Sequence, residues 1–151
     1  EGVFPNIEYP RIPGHEVVGR IDKLGAGVAG WKVGARVGVG WHGGHCFHCA
    51  PCRGGDFVNC ENRSITAISR DGGYAEYMKL PAENFIKLPA GLDHRRHAPE
   101  IGVITDAVAT PLKVIRRARV AAGETVAVFG AGGGLGYIFV AQDIRIAEFM
   151  T

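Results

Sequence analysis

Cys46-Phe47-His48-Cys49-Ala50-Pro51-Cys52-Arg53-Gly54-Gly55-Asp56-Phe57-Val58-Asn59-Cys60 holds all four cysteines of the 151-residue chain. Thiolate sulfur binds zinc tetrahedrally, and a Cys-x2-Cys turn presents two sulfurs from one loop. A Cys-x2-Cys-x2-Cys-x7-Cys stretch can therefore close all four positions around one ion. With no position left for water, such a site is structural. Three alternatives compete. Two disulfides would also use four cysteines, but a lone cluster in a chain without a secretory leader argues for reduced thiols. An iron-sulfur cluster is suggested by the Cys-x2-Cys-x2-Cys opening, yet its fourth cysteine comes after three residues and before proline. Here the gap is seven and Glu61 follows. A mixed site could recruit His42, His45 or His48, but four thiolates suffice and the imidazoles are expected at the rim. Four thiolates around a divalent ion leave a double negative charge that Arg53 and a protonated histidine could offset.

Outward from the cluster, the chain is long enough for one domain with its own core and short for two. Seventeen basic against fifteen acidic residues give a net charge of +2. No basic stripe stands out beyond Arg116, Arg117 and Arg119 at an expected helix end, where the helix dipole accounts for them. Nucleic acid and membrane are therefore not expected partners, and no run of about 18 apolar residues suggests a span. Glycine is abundant, 23 residues without a Gly-x-y period, as turns and close backbone approaches in a strand-rich fold require. The chain starts at Glu1 rather than methionine, so a fragment is expected.

Pro10, Pro13 and Gly14 give an extended entry and a tight turn into His15-Glu16, after which residues 17–24 and 33–39 read as strands. Beyond the cysteines, Asp71-Gly72-Gly73 is a turn before an alternating stretch at 74–80, and 85–88 is a short strand stopped by Pro89-Ala90-Gly91. The pattern then changes period. From Asp93, a candidate cap, to Val120 the spacing is helical, with Ile104, Ala107, Leu112, Ile115 and Ala118 on one face and Pro111 predicting a kink or two helices. Residues 124–129 form an apolar run typical of a strand buried in a parallel sheet, leading into Gly130-Ala131-Gly132-Gly133-Gly134-Leu135-Gly136. Such a turn lets backbone amides approach a pyrophosphate. A ribose-binding acidic residue is expected about 20 residues further on; only fifteen residues follow Gly136, so a single strand and no such residue are expected.

Gly14-His15-Glu16, Val33-Gly34-Ala35-Arg36-Val37, the cysteine lobe, Gly72-Gly73-Tyr74-Ala75-Glu76-Tyr77 and the glycine turn occur in an order that resembles the zinc-containing medium-chain alcohol dehydrogenases, from Tyr9 to Gly136. The resemblance implies a mixed α+β fold. Residues 1–90 would be a GroES-like β-barrel catalytic domain with its structural zinc lobe at 41–62, and 91–151 linker helices and the first, incomplete β-α unit of an NAD(P)-binding Rossmann domain. It implies a catalytic zinc held by His15, with Glu16 as adjacent carboxylate or exchangeable ligand. Asp106, four positions before Thr110, would replace the more usual cysteine. Thr110 would lie against the nicotinamide, and Gly130, Gly133, Gly134, Leu135 and Gly136 would line the pyrophosphate.

The implied reaction is reversible hydride transfer between a primary or secondary alcohol and NAD or NADP, with aldehyde or ketone as product and zinc activating the alcohol oxygen. A homo-oligomeric parent is implied too. Cytoplasmic location is expected from the reduced cysteines and missing leader. Three departures stand against the pattern: no cysteine precedes His15, Ala35 replaces the usual aspartate, and the glycines follow Gly-x-x-Gly-x-x-Gly. A non-catalytic, zinc-stabilised binding module is therefore the second reading, and a zinc-free quinone reductase relative a third, which the cysteine lobe opposes.

Overall fold

The computed structural model describes residues 7–121, 123–136 and 146–148. They belong to two compact units, Glu1–Thr105 and Asp106–Thr151. In chain order the elements are β1 (Val17–Arg20), β2 (Arg36–Val39), β3 (His42–Gly44), α1 (Ala50–Arg53), β4 (Ser64–Ile65), β5 (Ile86–Lys87), α2 (Ala98–Val103), α3 (Ala109–Ala118), β6 (Val126–Val128) and β7 (Ile146–Glu148). β2 is the middle of an antiparallel sheet ordered β1-β2-β5, with Val17 opposite Val39 and Val37 opposite Lys87. β3 and β4 make a second antiparallel pair.

The sequence of β2 explains its central place. Val37 and Val39 are two residues apart on one face and are only 3% and 2% exposed. The alternate positions are glycines because Thr105 lies against them: a Cβ on Gly38 would stand 3.0 Å from the Thr105 methyl, and one on Gly40 2.7 Å from its carbonyl oxygen. Valine on one side and glycine on the other thus bury both faces. α2 adds Ile101, 3% exposed. Arg36 donates from its guanidinium to the carbonyls of Ala90 and Leu92, tying the segment after β5 to the sheet.

Two expectations need revision, the strand at 74–80 and the shared apolar face, while the divided helix and the Asp93 cap take a specific form. Residues 74–80 form no strand, and Tyr74 and Tyr77 are exposed. The amides of Gly72, Gly73 and Tyr74 instead bond the carbonyls of Ile12, Gly14 and Pro13, a pairing with a distant segment that alternation does not reveal. The helical stretch divides into two helices, as Pro111 predicts, and a π-helical turn at Ile104–Val108 joins them one turn before the proline. A proline ring opposes the carbonyl four residues earlier, and widening the preceding turn accommodates it. Asp93 does cap, accepting the amides of Arg95 and Arg96 at 3.2 Å each, but it caps the turn that leads into α2 rather than the helix itself. The predicted apolar face is not buried as a set: Ile104 and Leu112 are exposed, while Ile101 and Pro111 are buried.

The second unit contains one strand more than the single strand expected from sequence. β6 pairs in parallel with β7, Val126 beside Ile146 and Val128 beside Glu148. The strand ends on an acidic residue, Glu148. No helix among the described residues is long and apolar enough to cross a membrane.

Candidate metal centre

The cysteine lobe is built by short-range hydrogen bonds. Phe47 takes a left-handed conformation, φ 65°, and turns the chain between Cys46 and Cys49. Cys49 then precedes α1, where Pro51 fits the first turn because an amide there has no helical acceptor. The carbonyl of Cys52 accepts the amide of Gly55 at 3.0 Å, Asp56 returns to Pro51 at 2.9 Å, and a 3-10 turn at Phe57–Asn59 brings Cys60 back.

The result is one compact donor set. The ligand atoms of Cys46, Cys49, Cys52 and Cys60 all lie within 4.8 Å of one another, and the last three residues are buried. Sulfur separations are 3.6 Å for Cys46–Cys60 and 3.8 Å for Cys49–Cys60. Zinc–sulfur bonds of about 2.3 Å at tetrahedral angles require neighbouring sulfurs about 3.8 Å apart. Disulfides need about 2.05 Å, and all four cysteines are free. The donor set thus fits a closed tetrahedral zinc site. Two amides, from Cys46 and Asn62, point at the Cys60 sulfur at 3.4 and 3.3 Å, as a thiolate acceptor demands.

The sulfurs are electrostatically unequal. Burial pushes the Cys46 thiol up, but the backbone at Cys49 and His48 and the side chains of Asn62 and Cys49 outweigh it and bring it down to about 5. Cys52 is pushed up to about 12 by burial and by sulfur contacts with Cys49 and Cys60.

The histidines sit around the sulfurs rather than among them. His48 bonds the Cys46 carbonyl through Nδ1 at 2.7 Å. His45 stacks on Phe57, meets the edge of Phe47, and shares a 3.0 Å hydrogen bond with His42. The mixed ligand set is thereby unnecessary.

The other residues singled out by sequence divide between the units. His15 is half-buried and Glu16 exposed in the first unit, both immediately before β1. In the second unit, Asp106 lies in the π-helical turn and its carboxylate accepts a short hydrogen bond from the Thr110 hydroxyl. Gly130 has φ 75°, and Gly133 donates to its carbonyl at 3.0 Å, closing the turn after β6. Helix begins at Gly134, followed by Leu135 and Gly136. A Cβ on Gly136 would stand 2.4 Å from the Gly130 oxygen and 2.7 Å from the Ala131 Cα. Only glycine allows helix and strand end to approach so closely. Sequence reasoning did not identify the Thr110–Asp106 hydrogen bond or the π-helical turn; the four-residue spacing of the two side chains was the available signal.

Residues 1–90 match the alcohol dehydrogenase GroES-like domain. The chain is 42% identical over 130 residues to the alcohol dehydrogenase patD of Aspergillus clavatus, covering 86% of this chain and 32% of the relative. A cobalt- and zinc-bound thermostable alcohol dehydrogenase from Pyrobaculum aerophilum superposes with a TM-score of 0.77 at 33% identity, over 93% of this chain and 42% of that one. The CAD protein of Helicobacter pylori in complex with NADP(H) gives 0.79 at 26% identity, over 96% and 44%. This chain spans about a third of the patD relative. With its four-sulfur lobe inside the matched region, the chain belongs to the alcohol dehydrogenase family through its GroES-like domain.

Proposed function

We propose that the protein containing this chain is a zinc-dependent alcohol dehydrogenase, exchanging hydride reversibly between a primary or secondary alcohol and NAD or NADP. The observation that carries the reading is the four-sulfur cluster at zinc spacing, within a domain whose similar proteins include a cobalt- and zinc-bound alcohol dehydrogenase and the CAD protein in complex with NADP(H). In this reading Cys46, Cys49, Cys52 and Cys60 hold a structural zinc, and His15 and Asp106 contribute an imidazole and a carboxylate to a catalytic one. Both donor types suit zinc. Such an ion would supply Lewis acidity toward the alcohol oxygen, and a nicotinamide cofactor the hydride acceptor. The chain's own residues bind and orient. Glu16 supplies a neighbouring carboxylate, and the Thr110 hydroxyl steadies Asp106 while its side chain faces the cofactor. Gly130, Gly133, Gly134, Leu135 and Gly136 present backbone to pyrophosphate. The substrate is a small alcohol and its product an aldehyde or ketone.

A second reading is a zinc-stabilised module without catalysis. It is favoured by the closed four-sulfur lobe, which gathers the four cysteines of residues 1–151 into one site with no open position. Alcohol-dependent reduction of NAD or NADP by the zinc-loaded protein separates the two. The dehydrogenase reading expects turnover that His15→Ala abolishes while structural zinc stays bound; turnover equal in His15→Ala would sink it.

A further inference from the structure

We propose that the segment Asp71-Gly72-Gly73-Tyr74 is the positioning element for His15 and Glu16, and this deepens the metal-binding role given to His15 above. Four observations carry it. The Asp71 carboxylate oxygen Oδ1 accepts both the Ile12 amide and the Arg11 guanidinium, each at 3.2 Å. Gly72, Gly73 and Tyr74 donate their amides to the carbonyls of Ile12, Gly14 and Pro13 at 2.7, 2.9 and 3.0 Å. The carbonyls of Ile12, Pro13 and Gly14, three consecutive residues ending immediately before His15, are thus taken by one strap. On the other side of the pair, Val17 enters the β1–β2 ladder opposite Val39. His15 and Glu16 therefore lie between two hydrogen-bonded anchors.

The glycines show how closely the strap is seated. A Cβ on Gly72 would stand 2.2 Å from the Gly14 oxygen and 2.6 Å from the Pro13 oxygen, and one on Gly73 2.2 Å from a Val17 methyl. From the other side, a Cβ on Gly14, whose φ is 94°, would lie 2.4 Å from the Tyr74 ring. Neither segment tolerates a side chain at the contact. The strap touches the chain on both flanks of the His15-Glu16 pair, at the Gly14 backbone and at the Val17 side chain. Asp71 is the one charged group of the strap. It pairs with Arg11, whose side chain is 14% exposed against 58% for Asp71, so the carboxylate closes the strap from the solvent side. Residues that orient a metal ligand without touching the metal commonly set affinity by about 10- to 100-fold.

The test compares the zinc-loaded full chain with Asp71→Ala, Asp71→Asn and Gly72→Ala, reading the His15 imidazole by NMR and second-site affinity by zinc titration. Asp71→Asn keeps an oxygen acceptor and is expected to resemble the parent. Asp71→Ala is expected to split or broaden the His15 imidazole signals and weaken a second zinc by about tenfold or more, with the amides of the cysteine lobe unmoved. Gly72→Ala is expected to give the larger effect of the same kind. If the parent takes no second zinc while its His15 signals still respond to Asp71→Ala, the strap stands and the catalytic-metal reading falls. His15 signals and zinc titration unchanged in Asp71→Ala would overturn the strap's role, as would equal disturbance of the cysteine lobe.

Discussion

Among the described residues, the cysteine lobe and the glycine turn differ in how locally their surroundings are built. The lobe gathers its four ligands from fifteen consecutive residues, and three of them are buried by the lobe's own packing. The glycine turn rests on a two-stranded parallel pair, β6 with β7, and there Phe129 is 79% and Leu135 49% exposed. Parallel strands are normally covered on both faces. Coordination can close a small site locally, whereas a nucleotide-binding turn depends on a sheet wide enough to be buried. The cysteine lobe is thus completed by local contacts, whereas the pyrophosphate-binding role proposed for the glycine turn depends on wider packing.

The sharpest way to break this contrast is to remove a sulfur. Cys52→Ser is expected to release zinc and unfold the lobe, because a site of this kind binds and folds in one step. His15→Ala should leave the thermal midpoint within a few degrees of the parent. Equal losses of stability, followed by circular dichroism with and without chelator, would erase the distinction between a folding metal and a catalytic one. A smaller effect is expected in the other unit. Gly136→Ala forces a Cβ to 2.4 Å from the Gly130 oxygen, and overpacking of this sort costs about 1–3 kcal/mol. Hydrogen exchange should show faster opening of β6 with the cysteine lobe unaffected.

The subtlest expectation concerns protons. Ligation requires thiolates. In the metal-free lobe Cys46 is already ionised at neutral pH, being held at about 5, while Cys52, pushed up to about 12, still carries its proton. Zinc entry must therefore expel the Cys52 proton throughout the neutral range, so affinity rises with pH there. Below about 5 a further proton competes at Cys46 and the fall steepens. Calorimetric titration in two buffers of different ionisation enthalpy reads the protons released; none at pH 7 would contradict the inequality of the sulfurs.

How much of this was legible beforehand follows from the range of the interactions. The lobe could be read from spacing because its contacts are local: two-residue turns fix where the first three sulfurs point, and a seven-residue return fixes the fourth. The strand read at 33–39 was visible because valine alternates with glycine there, though it begins only at Arg36, after the left-handed Gly34. The alternation at 74–80 misled because the amides just before it pair with residues 12–14, some sixty positions away, and no period records that. The π-helical turn at Ile104–Val108 was foreshadowed by Pro111 without being specified by it, since a kink or a second helix would also accommodate the ring. β7 was unreadable for a different reason: Ile146-Ala147-Glu148 is three residues long, too short to show a period, and becomes a strand by lying beside β6.

The central claim, that Cys46, Cys49, Cys52 and Cys60 close around one zinc, is tested most directly by X-ray absorption at the zinc edge of the protein purified under reducing conditions. In Cys-intact protein with His15→Ala, where only the lobe can hold metal on this account, one zinc per chain with four sulfurs at about 2.3 Å is the result expected. A shell containing nitrogen or oxygen, iron in place of zinc, or a metal-free protein four hydrogens lighter in mass, would contradict it.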